Sequence, residues 1–297
     1  MKNQAGQAPG QGVDVYQLVT SRIIEALESG TIPWKRTWQG YGYAKNIVNG
    51  HVYSGINAIL TNLSPYSIPY FLTMRQANDL GGNIKAGSKS LPIVYWDVRY
   101  QDEDGKYFKE DEIEGKKNLR KRFFARYYRV FNVADVEGVK IDLPVGQVNH
   151  EPIPDCEALV RNIPFPPVIQ HKGDQPCYIP AIDTVQIPAT ELFESREAYY
   201  QTLFHELIHA TGHMARLERP GIMEVSKFGS LTYCEEELIA EIGATFICNR
   251  VGIETSATFE NSAAYIQGWL AQLSADKRMI FAAAGKARLA VGYLYEE

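Results

Sequence analysis

The residues best placed to do chemistry are His205, Glu206 and His209, in the run Phe204-His205-Glu206-Leu207-Ile208-His209-Ala210. Residues four apart share one face of a helix, so both imidazoles can reach the same ion. Glu206 is then placed to take a proton from water at that ion. Nitrogen ligands, an open coordination position and a carboxylate base are what a hydrolytic zinc centre needs. The expected cofactor is one divalent metal ion, Zn2+, with Glu206 as general base. The bare spacing also fits a helix with two surface histidines and an incidental glutamate. Its surroundings favour the metal: Ser195 can cap a helix start, Glu197 suits the first turn, and Gly212 can end the helix.

A third ligand is expected on a second helix, Glu235 to Arg250, closed by Gly252. Glu237 and Glu241 are four apart there and share a face. Glu237 is the expected ligand and Glu241 the acid that orients a ligating histidine, with the reverse assignment as the alternative. Gly243 and Ala244 would let a partner helix approach closely. His213 follows Gly212, which should break the helix, so it is expected as a cap or a cleft residue. The metzincin pattern needs a histidine six residues after the second one, where Arg216, Leu217 and Glu218 mark the neighbourhood instead. Tyr233 and Tyr265 are candidates for stabilising an oxyanion. One nitrogen-rich site is not the acid-rich two-metal clamp of phosphodiester cleavage.

These helices must sit in a chain of 297 residues, long enough for about two domains. No apolar run approaches the roughly 18 residues of a membrane span. Residues 1–12 have no apolar centre and are expected to be a disordered lead-in. Cys156, Cys177, Cys234 and Cys248 form no CxxC, which suits a reduced, cytoplasmic protein. The net charge of −5 hides an asymmetry: residues 1–150 hold 19 Lys and Arg against 15 Asp and Glu, and the remainder 11 against 20. A basic first half and an acidic second half suggest two jobs on one chain.

In the first half, residues 13–29 carry the apolar spacing of an amphipathic helix stopped by Gly30. Trp34, Trp38, Tyr41, Tyr43 and Tyr53 then alternate with Lys35, Arg36 and Lys45, around a hairpin signal at Asn49-Gly50. Rings among cations suit single-stranded nucleic acid, with rings stacking on bases and cations following phosphates. The same rings could equally be core. Arg75, in a short helix expected after Pro69 within residues 66–80, and Lys85 and Lys89, in a Gly/Ser loop before the β-rich run 93–96, are further candidate DNA contacts. Residues 101–122 read as a solvated excursion from the sheet, and 125–133 as the returning strand. Residues 13–145 therefore read as a small α+β domain with an antiparallel sheet. Residues 146–297 read as a mostly helical domain, with a short helix at 155–162, two edge-strand candidates in 178–193, and closing helices near 263–273 and 277–293.

The stretches SGTIPWKRTW, NGHVYSGINAIL, SKSLPIVYW, YYQTLFHELIHATGH, EEELIAE and AAYIQGWL together resemble the ArdC-type antirestriction proteins of conjugative plasmids, over nearly the whole chain. TraC-type plasmid primases share the N-terminal module of that family. The resemblance implies a single-stranded-DNA-binding domain followed by a zincin-like metallopeptidase domain, and protection of incoming plasmid DNA from host restriction. It implies His205, His209 and a helix-borne glutamate as ligands and Glu206 as base. A protein or peptide substrate, such as a restriction-system component, and a DNA-coating shield whose metal is structural both stay open.

Overall fold

The computed structural model describes residues 13–34, 44–66, 68–143, 152–224, 230–253 and 262–296. In chain order the elements are α1 (Val15–Glu28), β1 (Lys45–Asn46), α2 (Ile56–Asn62), β2 (Tyr70–Leu72), α3 (Met74–Asp79), β3 (Asn83–Ile84), β4 (Leu91–Gln101), β5 (Tyr107–Phe108), β6 (Arg120–Asn132) and β7 (Val136–Glu137). The second half continues with α4 (Pro152–Arg161), β8 (Val168–His171), β9 (Cys177–Ile179), β10 (Thr184–Ile187), α5 (Arg196–Ala210), α6 (Pro220–Met223), α7 (Leu231–Val251), α8 (Ser262–Ala275) and α9 (Met279–Leu294). The class is α+β, with a sheet-based first half and a largely helical second half.

The main sheet has the order β1-β2-β6-β4-β5. Its strands pair antiparallel except for β1 with β2, a parallel pair that the expectation of a purely antiparallel sheet misses. The frame is the long ladder between β4 and β6, running from Leu91 opposite Val130 to Gln101 opposite Arg120. Both strands reach further than their apolar runs, so the excursion between them is confined to about residues 102–119. The short helix expected after Pro69 starts only at Met74, with Thr73 and Gln76 closing a capping box. Tyr70, Phe71 and Leu72 are instead fully buried as β2, where sheet pairing and burial on both faces override helical spacing. In the second half β8, β10 and β9 form a small sheet with β10 in the centre, so Pro180 and Pro188 flank that strand without confining it to an edge.

Helix α7 is the hub of the second half. It starts at Leu231 behind the Ser230 cap, four residues before its expected start, ends at Gly252 in the left-handed conformation (φ 80°), and contacts α4, α5, α6, α8 and α9. Leu238, Ile239, Ile242 and Ile247 on it are all at most 1% exposed. The main core does not stop near residue 145. Val19, Ile23 and Trp34 from the first half belong to one apolar cluster with Leu207, Leu238, Trp269 and Ala283. The Thr20 hydroxyl donates to the Lys277 carbonyl at 2.7 Å, and Tyr16 meets the Phe281 ring edge-on. Among the described residues no helix is long and apolar enough to cross a membrane.

Candidate metal centre

Helix α5 starts at Ser195, whose hydroxyl accepts from the Ala198 N–H, and carries Glu197 in its first turn. Its last carbonyls lack helical partners, and two arginines from the following loop serve them. The Arg216 Nε donates to the Ala210 carbonyl at 2.7 Å and Arg219 Nη2 to the Ile208 carbonyl at 2.6 Å. Helix α7 crosses against α5 at Gly243, where a Cβ would stand 2.8 Å from Ile208 Cδ1. Close approach there sets the HExxH face against the acidic start of α7.

The result is a cluster of His205, His209 and Glu237, whose ligand atoms all lie within 4.8 Å of one another. The two histidine Nε2 atoms face each other at 3.2 Å, and the Glu237 oxygens are 3.5 Å from that of His205 and 3.7 Å from that of His209. Ligands about 2.0–2.1 Å from one tetrahedral ion stand roughly 3.4 Å apart. Two imidazole lone pairs turned together also need a proton or a cation between them. The donor set, two nitrogens and a carboxylate oxygen, fits a divalent metal. Glu206 follows His205 on α5 and is buried.

The opposite ring nitrogens have their own partners. Glu241 Oε1 lies 3.6 Å from His205 Nδ1, and Glu236 Oε1 lies 3.2 Å from His209 Nδ1. Such contacts fix the ring orientation and strengthen the ligand. Glu237 thus stands with the Nε2 atoms and Glu241 behind His205. Burial alone would lower the His205 pKa, but the Glu237 hydrogen bond and the charges of Glu241, Glu206 and Glu237 outweigh it and hold the metal-free ring up at about 9.

Glu236 and Arg219 carry no motif signal, yet they form the buried support of the site. Arg219 donates through Nε and Nη2 to Glu236 and through Nη1 to the Thr211 hydroxyl at 2.6 Å. Burial raises the Glu236 pKa, but His209 and Arg219 prevail and keep it below the usual carboxylate value. Gly221 has no room for a Cβ, which would sit 2.7 Å from that of Glu236. The clue in the sequence is the triplet Glu235-Glu236-Glu237. A helix turns about 100° per residue, so the three acids point three ways: Glu235 to Lys286 on α9 at 2.7 Å, Glu236 to Arg219, and Glu237 to the metal cluster.

The same architecture occurs in a solved protein. The chain is 32% identical to the antirestriction ArdC protein from the R388 plasmid, over 95% of this chain and 97% of that one. TM-scores are 0.74 to the metal-free crystal structure and 0.73 to the Mn(II)-bound one. This chain belongs to the ArdC antirestriction family. Residues 13–131 match the family model for the N-terminal domain of anti-restriction factor ArdC, and residues 154–286 that for a zincin-like metallopeptidase. Protein y4eC of Sinorhizobium fredii is 31% identical over 98% of this chain and 94% of its own length. A DNA primase TraC of Escherichia coli is also 31% identical, over 92% of this chain but only 26% of the primase.

In this ArdC-family chain the other expected site residues fall as follows. His213 stands outside the metal cluster, accepting from the Ala215 N–H through Nδ1 at 3.2 Å. The Tyr233 hydroxyl donates to Glu237 and so supports a ligand, while the Tyr265 side chain lies outside the described residues. Trp34 is a correction: it is 0% exposed and packs edge-on against Trp269 at 5.4 Å, so it offers no base a stacking surface. Lys35, Arg36, Trp38, Tyr41 and Tyr43 lie outside the described residues, as does the lead-in over 1–12. Tyr53 is 2% exposed. Lys45 sits on β1 with its ammonium over the Tyr70 ring, Arg75 is exposed on α3 beside Asp79, and Lys85 and Lys89 are exposed beyond β3.

Proposed function

We propose that this protein is a cytoplasmic antirestriction factor that binds single-stranded DNA through its first half and carries a metal-dependent peptidase in its second. It would protect incoming conjugative plasmid DNA from host restriction. The observation carrying the hydrolytic reading is the convergence of His205, His209 and Glu237 with Glu206 next in sequence to the first ligand. His205, His209 and Glu237 would hold the ion, for which we propose Zn2+, since nitrogen ligands with an open position suit it. When bound, the ion supplies Lewis acidity toward a carbonyl oxygen and toward water.

The chain's own groups do the rest. Glu236 and Arg219 hold the His209 ring in one orientation. Glu241 does the same for His205, and Tyr233 anchors the Glu237 carboxylate. Glu206 takes the proton of the attacking water and delivers it to the amine as the peptide bond breaks, so one water is consumed per bond. The exposed cations of the first half attract phosphate without reading sequence.

The test is plasmid transfer into a restricting recipient, comparing wild type with Glu206→Ala, which leaves all three ligands in place. Loss of protection with metal content and DNA binding unchanged is expected. Hydrolysis of any peptide substrate should fall by about 10²–10⁴-fold, the usual worth of a positioned acid–base group. Protection that survives Glu206→Ala would show that hydrolysis is dispensable and leave a DNA-coating shield with a structural metal.

A further inference from the structure

The basic, aromatic character expected for residues 34–45 is stronger on β6, a strand singled out only for its packing. Residues 116–129 contain Lys116, Lys117, Arg120, Lys121, Arg122, Arg126 and Arg129, with no acid, interleaved with Phe123, Phe124, Tyr127 and Tyr128. Side chains alternate along a strand, and cross-strand partners share a face, so the register of the ladder sorts these residues. One face carries Val94, Ala125 and Tyr127 against the helices. The other carries Tyr95, Phe124 and Tyr128, with Tyr107 added from β5 opposite Gln101; at its Leu91 end the same face is closed by Ile93 and Val130, buried in a second apolar cluster with Tyr53 and Phe71.

These four rings are 45%, 38%, 36% and 48% exposed, in the order Tyr95, Phe124, Tyr128, Tyr107. They form two pairs. Tyr95 and Tyr128 have centroids 6.1 Å apart, and Tyr107 and Phe124 5.4 Å apart. Phe124 and Tyr128 are four residues apart on one strand, which spaces the pairs by about 13 Å, or roughly four nucleotides at 3.4 Å each. Four arginines share this face. Arg126 lies between the two pairs, Arg122 and Arg120 continue beyond Phe124, and Arg99 comes from β4 opposite Arg122. The one acid on the same face of the ladder is Asp97, held below its usual pKa. Burial opposes that shift, and the Arg99 and Arg126 guanidiniums outweigh it. Arg122 instead donates to the Gln101 side chain at 3.1 Å.

We propose that the outer face of the β4–β6 ladder is the track for single-stranded DNA, with Tyr95, Tyr128, Phe124 and Tyr107 as stacking platforms and Arg122 and Arg120 on the phosphates. The proposal rests on the single-strand-binding reading given above. It centres the interface on the long hairpin and not on the sequence candidates between Trp34 and Lys89. Exposed rings at strand spacing and a cation excess are the combination that sequence-tolerant single-strand binding uses. A protein partner would not need the arginine excess, and a duplex has no exposed base faces for the rings.

The experiment is fluorescence-anisotropy titration of a labelled oligo-dT with the full chain over a range of salt. The variants are Tyr95→Ala, Phe124→Ala, Phe124→Trp, Arg120→Ala/Arg122→Ala, and Lys172→Ala as an exposed cation of the second half. Thermal transitions report that each variant folds. Each lost ring is expected to weaken binding between about fivefold and about 150-fold, and Phe124→Trp to restore it. Removing both arginines should flatten the slope of log K against log salt by about 1.4. Lys172→Ala should behave as wild type. If wild type binds oligo-dT and the ring and arginine variants bind equally well, the track is wrong and the single-strand reading stands. Duplex DNA bound as tightly, with no response to the ring variants, would also overturn it. If folded wild type binds no single strand, the reading and the track fail together.

Discussion

His205 shows how neighbouring carboxylates set the protonation of a candidate ligand. Three carboxylates surround it and hold its pKa at about 9, against an ordinary value of 6.5. In the metal-free protein the ring is therefore protonated at pH 7. Its charge stabilises the fold fully below about pH 6.5, and that contribution fades as pH rises through 9. A metal ion has to displace the proton. Apparent metal affinity is thus expected to rise about tenfold per pH unit from 7 to 9 and then level off, with close to one proton released per ion near pH 7.5. Calorimetric titration in buffers of different ionisation enthalpy measures that release, and affinity indifferent to pH over this range would contradict it.

At the scale of elements, the site is a property of the contact between α5 and α7. Neither helix holds all three members of the cluster, and the spacing between them is set at Gly243, whose missing side chain admits Ile208. Gly243→Val would overfill that contact at a cost of about 1–3 kcal/mol. It would also push Glu237 away from the two histidines. Ser230→Ala is the comparison: it removes the α7 cap for about 1 kcal/mol without moving the crossing. Metal affinity is expected to drop for Gly243→Val and to hold for Ser230→Ala. Equal affinities at equal loss of stability would mean the crossing does not set the site. The helices themselves were legible: Ser195, Glu197 and Gly252 mark their ends in the sequence and in the structure.

For the whole molecule, the shared core joins the two halves more closely than the change in charge at mid-chain suggests. Trp34 packs on Trp269, Val19 and Ile23 enter the cluster built on α7, and Thr20 bonds to the start of α9. Removing either half would expose these apolar faces. The chain is expected to unfold in one transition, with tyrosine and tryptophan signals from both halves coincident. Metal at about 100 times its Kd should stabilise the entire transition by about 2.7 kcal/mol. Two separate transitions, only one of them metal-sensitive, would show that the halves fold independently.

By itself the sequence determined the local and the periodic: the helix bearing His205, Glu206 and His209, its caps, the acidic helix that faces it, and the family. Those features depend on neighbours within a few residues, where spacing and propensity act directly. What only the tertiary structure decided depends on residues far apart in the chain. Glu236 meets Arg219 across 17 positions, Trp34 is buried by a helix more than 230 residues away, and β2 is a strand because β6 pairs with it. The outer face of β4 and β6 belongs to the same class. Its alternating rings and arginines are written in the sequence, but only the register between two strands shows which of them share a surface, and only the packing around them shows that the stretch from Tyr128 to Arg120 is the exposed part of it.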